Sequence, residues 1–162
     1  EAYQAWEIIV EDGTSVVFPK IVDRLREDLL RVAGRLPKLS GADTQFLQAE
    51  VERALEELIQ ALQEAQAKKK AQQQQPSQSP PQQQQQQDKE EPLMPDSAEL
   101  KLLRAAQLRV NRLTLAFDNG QAENPPNEPR RTEIQNIADL QFDISELTQE
   151  MIERARQQSN KD

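Results

Sequence analysis

Apolar residues along this chain recur at intervals of three and four, the spacing of a helix face. In FPKIVDRLREDLLRVAGRLPKL, Ile21, Val22, Leu25, Leu29, Val32 and Leu36 form one stripe, and Gly34 and Pro37 mark its exit. After the turn SGAD, Leu47, Val51, Ala54, Leu58, Ala61 and Ala65 keep a four–three alternation, widened by Leu55, Ile59 and Leu62. This predicts a long helix from about Thr44 to Lys70. Two such helices joined by a short turn form an αα-hairpin.

Ahead of them, the apolar runs WEIIV and SVVF flank EDGT. Asp-Gly between such runs signals a β-hairpin. The alternative ends a short helix at Gly13 and starts the next near Pro19, where proline suits a first turn. The helical reading is favoured, because no third strand-like segment follows and a lone hairpin is marginal.

The stretch PLMPDSAELKLLRAAQLRVNRLTLAFDNG predicts a third helix, with Asp96 as its N-cap, Glu99 reaching back as a capping box, and Asp-Asn-Gly as the stop. Placed at 100° intervals, Leu102, Leu113, Ala106, Phe117, Val110, Leu103, Thr114, Gln107 and Leu100 fill one arc of about 160°. Lys101, Arg104, Arg109 and Arg112 spread over the remaining circumference, which places Arg109 away from the main contact. On this face assignment Arg109→Ala is close to silent and Val110→Asp is disruptive. Leu108 and Leu115 fall on the polar side and offer a second contact with another chain.

The last segment, RRTEIQNIADLQFDISELTQEMIERARQQSN, carries Ile134, Ile137, Leu140 or Gln141, Ile144, Leu147, Met151 and Ala155 at three–four spacing, with Thr132 and Gln135 as a capping box. The candidate interface is therefore Leu100, Leu103, Val110, Leu113 and Phe117 against Ile137, Ile144, Leu147 and Met151. Glu133, Asp139, Asp143, Glu146, Glu150 and Glu153 flank the second of these helices, so pairing brings opposite charges beside the seam.

Residues 72 to 87, QQQQPSQSPPQQQQQQ, hold 11 Gln, 3 Pro and 2 Ser. Nothing in that run can be buried, and the prolines break any helix, so it reads as a disordered linker. The domain plan is an N-terminal helical hairpin over 1–72, a linker over 73–95 and a C-terminal helix pair over 96–162. DNGQAENPPNEP reads as a loop within the second pair. The fold class is all-α, a coiled-coil-like helix bundle.

Composition narrows function chiefly by exclusion. The chain has 162 residues, 36% hydrophobic and 4% aromatic, with a mean hydropathy of -0.85. A formal charge of -8 opposes sequence-independent nucleic-acid binding, which depends on Lys and Arg neutralising phosphates. The basic residues of the third helix ring an apolar face instead of forming a reading stripe, so no nucleic-acid partner is expected. With no cysteine and no histidine, disulfides, thiolate metal sites, Ser–His–Asp triads and HExxH sites are excluded. The glutamates at 50, 52, 56 and 57 read as a solvated face, and the lysines at 68 to 70 as complements to a helix C-terminus. No catalytic residue, metal ligand or cofactor is expected. No run approaches the roughly 18 apolar residues of a spanning helix. The chain starts at Glu1 instead of Met, which reads as a piece excised from a longer protein.

The segments VEDGTSVVFPKIVDRLREDL and LMPDSAELKLLRAAQLRVNRLT together resemble a helical family of uncharacterised proteins from planctomycete-type bacteria, in which a low-complexity linker also separates two blocks. The resemblance covers about residues 7 to 115 and leaves out the terminal helix. It implies one region of a longer bacterial protein, with a lean towards export to the cell envelope, and carries over no site residues. The expected function is a non-catalytic interaction or scaffold module binding a protein partner or its own copies. The alternative is a peripheral membrane or envelope-associated protein.

Overall fold

A computed structural model describes residues 14–36, 41–73, 94–119 and 128–160, and they form four helices. These are α1 (Val17–Arg35), α2 (Ala42–Gln73), α3 (Asp96–Asn119) and α4 (Glu128–Ser159). No strand occurs among the described residues. Most of the Gln-rich linker, the WEIIV run and most of the DNGQAENPPNEP loop lie outside them. Val17 and Phe18 open α1, so the second apolar run of the possible hairpin is helical.

The side-chain bridges fix the directions. Lys68 with Ser97, Glu64 with Lys101 and Glu50 with Arg112 set α2 antiparallel to α3. Ser15 with Glu99 and Asp28 with Arg109 set α1 parallel to α3. Gln107 with Gln141 and Glu99 with Arg154 set α4 antiparallel to α3. The result is an up–down–up–down bundle in which α3 touches all three other helices. By contrast, α1 and α4 stand apart and are bridged by long charged side chains.

One apolar core runs through helices from both sides of the linker. Phe18, Leu25, Leu47, Val51, Leu58, Leu102, Val110, Ile144 and Leu147 belong to it. The predicted stripe of α2 is the buried one: Leu47, Val51, Leu58, Ala61 and Ala65 are buried and Ala54 half-buried, while Leu55 and Ile59 lie on an exposed margin. In α1 the stripe bends away from expectation. Leu29 and Leu36 are exposed, and Asp28 takes the buried position between Leu25 and Val32.

Both predicted capping boxes are corrected. The carbonyl of Pro95 receives the amides of Ala98 (2.8 Å) and Glu99 (3.2 Å), so Asp96 already lies inside α3, and the Glu99 side chain serves a different helix. For α4 the helix begins at Glu128, one turn before the expected start, which leaves Thr132 in its interior. Gln135 donates instead to Asp139 one turn later, at 2.8 Å.

Candidate interaction site

The inner face of α3 is rotated by about 50° from the arc expected on sequence. Leu103, Val110 and Leu113 are buried as expected, with Phe117 half-buried beneath the Arg130 guanidinium, 5.8 Å from its ring centroid. Across from them Ile144 and Leu147 are buried, and Ile137 and Met151 pack against the core while half-buried. Leu100 is corrected: it is 55% exposed, because the rotation moves the edge of the arc carrying Leu100 and Thr114 towards solvent. Ala98 and Arg109 enter at the opposite edge.

The rotation is explained by where the charges go. Arg109, expected to point outward, is buried and donates to Asp28 of α1. Arg31 approaches the other oxygen of Asp28 at 3.3 Å. Arg112 clamps Glu50 of α2 with two parallel hydrogen bonds, Nε to Oε1 and Nη2 to Oε2, both 2.9 Å. Glu50 is buried, so it does not belong to a solvated face with Glu52 and Glu56, which are exposed. Lys101 pairs with Glu64 of α2, and that bond holds the half-buried Glu64 carboxyl below its usual range.

Arg109 therefore faces α1, and Lys101 and Arg112 face α2, while Arg104 is exposed and joins no ion pair among the described residues. Among the described residues no ion pair joins α3 to the main acidic flank of α4 between Asp139 and Glu153; from that flank Asp143 pairs with α1 instead. Asp143 accepts from Arg24 and lies 3.2 Å from Lys20, and Glu133 accepts from Arg35 at 2.8 Å. Burial opposes the charged form of Asp143, but the Arg24 and Lys20 contacts outweigh it and hold the carboxyl below its ordinary value.

Glu99 was not recognisable from sequence as a structural residue of α1. Its side chain is fully buried, and Oε1 accepts from Ser15 Oγ and from the amides of Val16 (2.8 Å) and Val17 (3.1 Å). Val16, at the N-cap of α1, has no capping side chain of its own. A carboxylate from a neighbouring helix thus satisfies the opening donors and meets the positive end of the dipole. Arg154 of α4 completes the junction by donating to the Thr14 carbonyl at 2.8 Å and lying 3.7 Å from Glu99 Oε2.

Two surface features bear on function. Leu108 and Leu115 are 43% and 61% exposed on the outer face of α3. Between α1 and α4 runs an open groove of about 760 Å³. Val16, Pro19 and Leu147 line it together with Asp23, Glu146, Glu150 and Glu153. No cluster of metal-binding side chains occurs among the described residues, and no described helix is long and apolar enough to cross a membrane.

No protein-family model, curated protein or solved structure matches the chain.

Proposed function

We propose that the bundle is a non-catalytic interaction module that binds a protein partner or a second copy through its helix faces. The observation that carries this reading is the outer face of α3. The helix already buries one full side and ties up Arg109, Arg112 and Lys101 in contacts within the bundle, yet it keeps Leu108 and Leu115 in solvent. Exposed leucines spaced two turns apart on a helix fixed from behind form a rigid apolar ridge, and its display needs no further ordering of the helix.

A membrane-surface role has less to draw on. An interfacial helix needs its cations on the flanks of its apolar face, free to meet anionic headgroups. Here Arg109 is buried and Arg112 half-buried, both engaged with carboxylates.

Light scattering over a concentration series tests self-association. The mass should rise with concentration for the natural chain and stay that of a monomer for Leu108→Lys with Leu115→Lys. For a different partner, a photocrosslinker at Asn111 should label a defined protein that the double variant no longer labels. Monomers throughout with no such adduct, or retention of either behaviour by the double variant, sinks the reading. Binding to anionic vesicles at low salt would favour the membrane alternative.

A further inference from the structure

The groove between α1 and α4 carries more chemical information than the leucine ridge, and it specifies a partner. The other neighbouring helices close on each other through apolar side chains, whereas α1 and α4 are held apart by Lys20, Arg24 and Arg35 reaching across to Asp143 and Glu133. The space left along α4 between Asp143 and Arg154 spans about three helical turns, roughly 17 Å. Its floor is apolar, from Val16, Pro19 and Leu147.

Its walls are acidic and unneutralised. Lys20 and Arg154 also line the groove, but Lys20 is engaged with Asp143, and Arg154 with Thr14 and Glu99. Asp23, Glu146, Glu150 and Glu153 take part in no ion pair among the described residues.

From this we infer that the α1–α4 groove is the docking site of a basic amphipathic helix from a partner protein. The inference rests on the interaction-module reading and gives the partner's chemistry: a short apolar seam for the floor, flanked by Lys or Arg for the carboxylate walls. A second copy of this chain suits the groove poorly, since two chains of charge -8 would bring like charges together.

The test uses the whole chain and three fluorescent peptides of about 15 residues, long enough to form a helix. One is an amphipathic Leu/Lys helix, one the same pattern with Glu for Lys, and one a Lys/Ser peptide of equal charge without an apolar seam. The Leu/Lys peptide should bind, and Glu146→Gln with Glu150→Gln should weaken it roughly tenfold. The control Glu52→Gln with Glu56→Gln, on the outer face of α2, should leave binding within about twofold. The chain has no cysteine, so Gln149→Cys places a single label in the groove, and its emission should shift on binding.

Three results overturn the inference: no binding of the Leu/Lys peptide, equal binding of either other peptide, or equal weakening by the α2 control. A change in the mass of the chain alone in the groove variant makes the occupant a second copy and also overturns it. If the peptide fails but association through Leu108 and Leu115 persists, the groove falls and the interaction-module reading stands.

Discussion

Arg109 of α3 donates to Asp28 of α1, and both side chains are buried where the two parallel helices meet. Asp28 occupies a position in the apolar stripe, three residues after Leu25 and four before Val32. Without Arg109 its charge would sit in the core with only Arg31 at 3.3 Å. Breaking a buried pair by removing one partner costs about 3–5 kcal/mol, mainly through the charge left behind. Arg109→Ala should lower the urea midpoint accordingly, against the near-silence expected from periodicity alone. Replacing both residues, Asp28→Leu with Arg109→Met, should recover most of that loss. If Arg109→Ala unfolds at the natural midpoint, the pair contributes nothing.

Glu99 gives a more local prediction. Three donors at the start of α1 end on its Oε1, so Glu99→Ala leaves them unsatisfied beside the core. The loss should be about 2 kcal/mol or more, combining a lost cap with lost charge-assisted hydrogen bonds. Hydrogen exchange separates this from general destabilisation. The Val16 and Val17 amides should lose protection under conditions where the Val110 amide keeps it. Equal acceleration at all three sites would mean that Glu99 supports the whole bundle and does not act as a cap.

The helices and the inner face of α2 were legible because burial of an apolar stripe has a period that a single chain displays. Leu47 to Ala65 lie where that period puts them. What the period could not reveal was the destination of the charges. Asp28 and Glu50 interrupt or border apolar stripes, and that placement was the available signal, but a partner in a distant helix is a matter of topology. The assumption that basic α3 answers acidic α4 failed for the same reason. Opposite charge selects a partner among neighbours, and α3 has three of them. A capping-box pattern likewise supplies a carboxylate at the right place without saying which helix start will take it. The α1–α4 groove had no sequence signature, since it arises from two helices kept apart.

Acid should loosen the contact between α1 and α4. Asp143 has its carboxyl held below the ordinary value by Arg24 and Lys20 against the opposing effect of burial. A group whose folded value is depressed contributes stability that is present above its unfolded value, near 3.8, and lost as pH falls through the folded value. Stability should therefore decline as pH drops below about 4. Asp143→Asn should be less stable at neutral pH and should show a shallower decline over that acid range. Thermal melts from pH 6 to pH 2 check this. Parallel curves for the two proteins would remove Asp143 from the acid response.

The same substitution made on the two faces of α3 tests the face assignment that underlies both functional readings. Val110 belongs to the same buried core as Leu102, Leu103 and the α4 residue Ile144, so an aspartate there brings an unpaired charge into the shared core. Val110→Asp should cost at least about 3 kcal/mol and remove much of the helical circular dichroism at moderate temperature. Leu115→Asp sits on the solvent side, with 61% of the natural residue exposed, and should change stability by no more than about 0.5 kcal/mol. Its effect should fall on association instead, because a charge on the ridge opposes any apolar partner without disturbing the helix behind it. If Leu115→Asp melted the bundle as Val110→Asp does, Leu115 would be a core residue and the ridge would not exist. If neither substitution changed the melting curve, α3 would not be docked on its neighbours through Val110.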